Sequence, residues 1–125
     1  MLFLCIGYFD EQAMGALAPA DLERVMDDCG PVLESFYGRK DVKLDVGLGL
    51  ETFEVQRADG RIGVRDGYTR SSTDRIGNVF LVEADSIEDA AMEAMRHPAV
   101  QVEAGEALGW RIEVRQVRQM ENRMR

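Results

Sequence analysis

NVFLVEADSIEDAAMEAMRHP, residues 78–98, is the stretch on which the fold turns. Its first eight residues are apolar at both odd and even positions, the mark of a strand covered on two sides. Ser86 then offers a helix cap, with Asp89 three residues on, and Ile87, Ala90, Ala91, Ala94 and Met95 form a 3-4 stripe. His97-Pro98 supplies the stop. One strand feeding one helix is half of a repeated unit, and the other half lies at the start of the chain. LFLCIGYF (2–9) is again apolar on both faces. Beyond FDEQAMGALAPAD, Pro19 suits a first helical position, and Asp21 and Glu23 favour the positive end of the helix dipole. Leu22, Val25, Met26, Cys29, Val32, Leu33 and Phe36 keep one stripe in phase across Gly30-Pro31, which predicts a kinked helix.

The remaining segments supply edge strands. KLDVGLGLE (43–51) alternates Leu44, Val46, Leu48 and Leu50 with polar or small residues, as a half-buried strand does. In TFEVQRADGRIGVRDG, Phe53 and Val55 answer Ile62 and Val64 across Asp59-Gly60, a hairpin pattern. WRIEVRQV (110–117) alternates Trp110, Ile112 and Val114 with Arg111, Glu113 and Arg115. The order is strand, helix, strand, inserted hairpin, strand, helix, strand. That is an α+β, ferredoxin-like split βαβ sandwich, whose first and third main strands are central. These are the two runs apolar on both faces. Residues 1–117 form one domain, and 118–125 a charged tail with three Arg against one Glu.

Two helices cover one face of such a sheet. Leu4 and Ile6 point opposite to Phe3 and Cys5, and Val79 and Leu81 opposite to Phe80 and Val82, so a second apolar face is left over, which predicts a homodimer. The chain has 125 residues, 46% of them hydrophobic and 30% charged, and a net charge of −8. Its acidity, with a pI near 4.6, argues against nucleic acid and anionic membranes as partners. MLFLCIG has no basic flank or cleavage site and is too short to span a bilayer, so a cytoplasmic location is expected. Cys5 and Cys29 fit that compartment as free thiols in apolar patterns. Two cysteines and one histidine make no closed zinc site, so no metal is expected, and no motif calls for a cofactor.

Candidate chemistry gathers around RDGYTRSSTDRIGN (65–78). Asp66 is read first as a turn residue bonding the backbone two residues on, and second as a carboxylate acting at a cleft. Asp10, Ser71, Ser72, Thr73 and Asp74 are the polar groups expected to join it as ligand contacts. His97 is the only histidine and therefore the only imidazole available for acid–base work; a cation at a helix C-terminus is the plainer reading. Arg115 is an exposed edge residue or, if its face lines a cavity, an anion contact. Trp110 reads as a core anchor.

FDE after the first strand, GLGLE, Asp66-Gly67, GNVFLVEADSIEDAAMEAMRHP and the closing EVRQV together resemble the DGPF branch of the YCII-related proteins. The resemblance runs over nearly the whole chain. It implies a ferredoxin-like fold that dimerises through its sheets into an α/β barrel. It also implies a His–Asp acid–base pair in some branches, and a regulatory setting for others. The chain departs from the signature at Tyr68 and Thr69, places Ser71 and Thr73 where charges are common, and has no histidine in its first helix region. The expected function is small-molecule binding in a cleft near residues 65–78, with scope for catalysis. The alternative is a non-catalytic regulatory or protein-interaction module.

Overall fold

A computed structural model describes residues 1–68 and 72–124. Strand β1 (Leu2–Asp10) leads through a short helix α1 (Glu11–Gly15) to the long helix α2 (Pro19–Tyr37). Strands β2 (Val42–Gly47), β3 (Phe53–Ala58), β4 (Arg61–Asp66) and β5 (Asp74–Glu83) follow. Helices α3 (Ile87–Ala94) and α4 (Pro98–Gln101), a 3₁₀ turn (Glu103–Gly105) and β6 (Arg111–Gln116) complete the chain. The main sheet has the order β2-β5-β1-β6 with every neighbour antiparallel, and β3-β4 form a separate two-stranded sheet. This is the ferredoxin-like order, with β1 and β5 central and the hairpin inserted before β5.

The local signals act as their chemistry requires. Pro19 opens α2 and Ser86 accepts the Asp89 amide at 3.1 Å to cap α3. Helix α2 runs on through Pro31, its apolar stripe unbroken. Two expectations are corrected. The strand expected over 43–51 ends at Gly47, although the Leu48 amide still donates to the Gly77 carbonyl at 2.9 Å. The helices α1 and α4, of five and four residues, are too short to show a period and went unread.

One face of the sheet is packed. Phe3, Cys5, Phe80 and Val82 lie under Phe36 of α2 and Ala90 and Ala94 of α3. Complete burial of such a side chain contributes about 1.5–3 kcal/mol. A second cluster of Val25, Val102 and Leu108, with Met14 and Trp110 against it, closes the end near α1. Trp110 is thus partly buried there, its indole N–H donating to Met14 Sδ at 3.4 Å. Burial pushes the Cys5 thiol up to about 12, and Cys29 is raised too, first by burial.

The other face is open. Cross-strand register sets Leu44, Leu81, Leu4 and Arg115 in one row and Val46, Val79, Ile6 and Glu113 in the next. A register shift between Gly7 and Tyr8 then brings Tyr8 opposite Ile76 on β5 and Arg111 on β6. Bulges of this kind re-aim side chains, and this one starts the polar end of the open face. Between Leu44 and Ile76, ten large apolar side chains are 37–74% exposed. The hairpin supplies four of them. Its turn, Asp59 and Gly60 with φ of 52° and 75°, is the two-residue form that asks for left-handed backbone at both positions.

Candidate functional site

The end of the open face beyond the bulge, the segment after β2 and the foot of the hairpin enclose a groove of about 760 Å³. Tyr8, Asp74, Ile76, Arg111 and Glu113 line its sheet side, and Leu48, Thr52 and Tyr68 are among the residues opposite. Its centre is Arg111. The guanidinium lies 4.1 Å from the Tyr8 ring centroid, bonds Asp74 Oδ2 at 3.1 Å and reaches Glu113 Oε2 at 3.4 Å. Tyr8 donates its hydroxyl to the other Glu113 oxygen at 2.9 Å. The hydrogen bond to Asp74, ahead of the partly opposing burial, strengthens the arginine's hold on its proton. A cation stacked on an aromatic and held between two carboxylates is oriented before any ligand arrives.

Arg75 builds the opposite wall. It lies 3.6 Å from the Tyr68 ring centroid and donates to Glu11 Oε2 at 2.9 Å. It also donates to the carbonyls of Ser72 at 2.6 Å and Asp74 at 2.9 Å, which fastens the start of β5. Thr52 Oγ1 donates to the Leu50 carbonyl at 3.0 Å and shares a hydrogen bond with the Tyr68 hydroxyl at 3.1 Å. Tyr68 is therefore held by its ring face and its hydroxyl at once.

Of the residues singled out from sequence, Ser72 and Asp74 line the groove. Ser72 Oγ also accepts the Asp74 amide at 3.1 Å. Asp10 and Thr73 do structural work beside it. Asp10 caps α1 by accepting the Ala13 amide at 3.1 Å, and that bond, aided by the Thr73 hydroxyl, holds its carboxyl below the usual range. The Thr73 carbonyl accepts the Glu11 amide at 2.9 Å. Asp66 sits exposed at the end of β4, paired in register with Phe53. Its side chain makes no hydrogen bond among the described residues, so the expected side-chain turn is absent; the Gly67 amide donates across the hairpin to the Thr52 carbonyl at 2.8 Å. Arg115 is exposed on the open face opposite Leu4, outside the groove lining. Ser71 lies outside the described residues.

His97 belongs to the other side of the sheet. It is 7% exposed, stacked on Phe80 with centroids 4.9 Å apart and edge-on to Phe36 at 5.1 Å. Its Nδ1 accepts the Ala99 amide at 3.0 Å, which caps α4. The Asn78 amide nitrogen lies 3.3 Å from His97 Nε2 and donates to Asp45 Oδ1 at 3.5 Å. Tyr37 donates to the other Asp45 oxygen, and that bond, with burial, pushes its phenol up to about 12. Burial lowers the imidazole pKa against a weaker opposing pull from Asp45. His97 thus opens α4 as a packed ring whose charged form burial disfavours, in place of the cation expected at the C-terminus of α3.

Tyr8, Tyr68, Arg75, Arg111 and Glu113 give the groove its polar character, and none was singled out as a site residue from sequence. The alternation of WRIEVRQV held a signal for Arg111 and Glu113, but their meeting with Tyr8 depends on register across strands a hundred residues apart. Among the described residues, the polar groups lining the groove are carboxylates, guanidinia, hydroxyls and phenols. Such a set can bind and orient a polar ligand. Among the described residues no three His, Cys, Asp or Glu side chains group to hold a metal ion, and no helix is long and apolar enough to cross a membrane. No family profile matches this chain, and no curated protein does.

Proposed function

We propose that this protein is a homodimer that binds a small polar molecule in the groove around Arg111, and that it is a divergent member of the DGPF branch of YCII-related proteins. The observation that carries the binding reading is the preset Arg111, stacked on Tyr8 and bridged to Asp74 and Glu113 beside the aromatic wall of Tyr68. A groove of about 760 Å³ falls in the size range of ligand sites, roughly 300–1,000 Å³. Pairing of two open sheet faces would bury the apolar rows and turn each groove inward. Two unpaired thiols fit a cytoplasmic setting.

A thermal-shift screen with a panel of small carboxylates, amines and nucleobases tests the site. Ligands that stabilise the wild type should lose most of that effect on Arg111→Ala. Hits that stabilise both proteins equally would remove the groove from the reading. The alternative, a non-catalytic interaction module, draws on the exposed apolar ribbon of the hairpin. It predicts no small-molecule hit and capture of a macromolecular partner that Val55→Ser abolishes.

A further inference from the structure

We infer that the β3–β4 hairpin is an arm that lies across the groove of a second copy of this chain, so that each ligand chamber is walled by both chains. This rests on the dimer proposed above and adds to it a residue-level contribution from the partner. The hairpin register pairs Phe53 with Asp66, Val55 with Val64 and Arg57 with Ile62. Directly opposite residues share a face, so Phe53, Val55, Ile62 and Val64 form one largely apolar side, with Arg57 and Asp66 at its ends. Glu54, Gln56, Arg61 and Arg65 fall on the other. All four apolar residues are 61–70% exposed. A two-stranded ribbon is marginal in water without something packed on it, and its apolar side is the surface that needs packing.

The extent of the surface points to a protein-sized occupant. The ten exposed apolar side chains between Leu44 and Ile76 amount to an area on the order of 800 Å², one partner's share of a standard interface. A monomer ordinarily leaves a largest patch of about 300–600 Å². The identity of the occupant follows from where the surfaces lie. The apolar side of the arm and the apolar groove residues Leu48, Tyr68 and Ile76 are on the same chain, so a two-fold pair covers both at once. Charge agrees. The arm's apolar side carries Arg57 near its turn and Asp66 at its foot, and the open sheet face carries Arg115 and the ion-paired Glu113, so both surfaces hold charges of both signs. Opposite charges at the rims of two apolar surfaces favour their meeting in one register.

The test places a photo-reactive benzoylphenylalanine at position 53 of the full chain. Irradiation should give an adduct of two 14.0 kDa chains on a denaturing gel, mapping to peptides that contain Leu48 or Ile76. Hydrogen exchange gives a second readout that does not depend on that variant. Hairpin amides should exchange at least about tenfold more slowly in wild type than in Leu44→Glu/Val46→Glu, designed to be monomeric. Phe53→Ser/Val55→Ser should weaken dimerisation about 30-fold. A wild-type dimer with no inter-chain adduct and unprotected hairpin amides would overturn the arm and leave the dimer standing. An adduct mapping to α2 or α3 would overturn its place over the groove. A wild-type monomer at micromolar concentration would remove both the arm and the dimer.

Discussion

The two faces of the main sheet are built from the same four strands and end in opposite states. On the helix side, Phe3, Cys5, Phe80 and Val82 are essentially inaccessible, and the polar ring packed among them, His97, accepts the Ala99 amide at Nδ1. On the open side, Leu44 and Val46 remain exposed and the apolar rows end in Arg115 and Glu113. The alternation of side chains along a strand treats both faces alike. The difference is what each face has to pack against. The chain finishes one face by itself, and places its groove and its unpaired hairpin on the other.

Substitution separates the two faces most sharply at the largest side chain. Phe80→Ala should lower stability by about 3–5 kcal/mol, since it removes the ring that stacks on His97 and meets Phe36. Val46→Ala on the open face should cost the isolated chain less than about 1 kcal/mol. Denaturant unfolding at low protein concentration measures both. Equal losses would mean that the open face is already packed within one chain.

Gly7 tests the polar part of the packed side. A Cβ there would lie 1.9 Å from Asn78 Oδ1, so Gly7→Ala forces the carboxamide away from His97. A loss of about 1–3 kcal/mol is expected, with a changed His97 ring signal in NMR. An unchanged ring signal would show that Asn78 does not set the imidazole environment.

His97 gives the same face a pH dependence with a definite sign. Burial holds its folded pKa below the ordinary 6.5. The unfolded chain therefore takes up the proton first as pH falls, and the contribution is full above about pH 7 and declines below about 6.5. His97→Asn keeps an acceptor for the Ala99 amide, loses the stacking, and should cost about 1–3 kcal/mol at pH 7.5. That cost should shrink toward pH 5. A cost that grows on acidification would mean the ring is charged in the fold.

The smallest effect is expected at Asp66, exposed and without a side-chain hydrogen bond among the described residues. Asp66→Asn and Asp66→Ala should both leave stability within about 0.5 kcal/mol. A loss confined to Ala would restore the side-chain turn read from the sequence.

What the sequence revealed and what it hid divide along the same line. Local signals were enough for the central strands, for Ser86 with Asp89, and for the Asp59-Gly60 hairpin, because each depends on neighbours a few residues away. Groove geometry depends on register. Tyr8 meets Arg111 and Ile76 only because the β1–β5 ladder slips after Gly7, a non-local event that no periodicity reports. The role of His97 was hidden for a related reason: it caps a four-residue helix too short to leave a pattern.

The most direct measurement on the central claim is sedimentation equilibrium of wild type beside Leu44→Glu/Val46→Glu at micromolar concentration. An open face built to meet a second copy predicts a wild-type mass of two 14.0 kDa chains and a single 14.0 kDa chain for the variant, with the variant still folded by circular dichroism. A wild type that sediments as one 14.0 kDa chain would contradict the account.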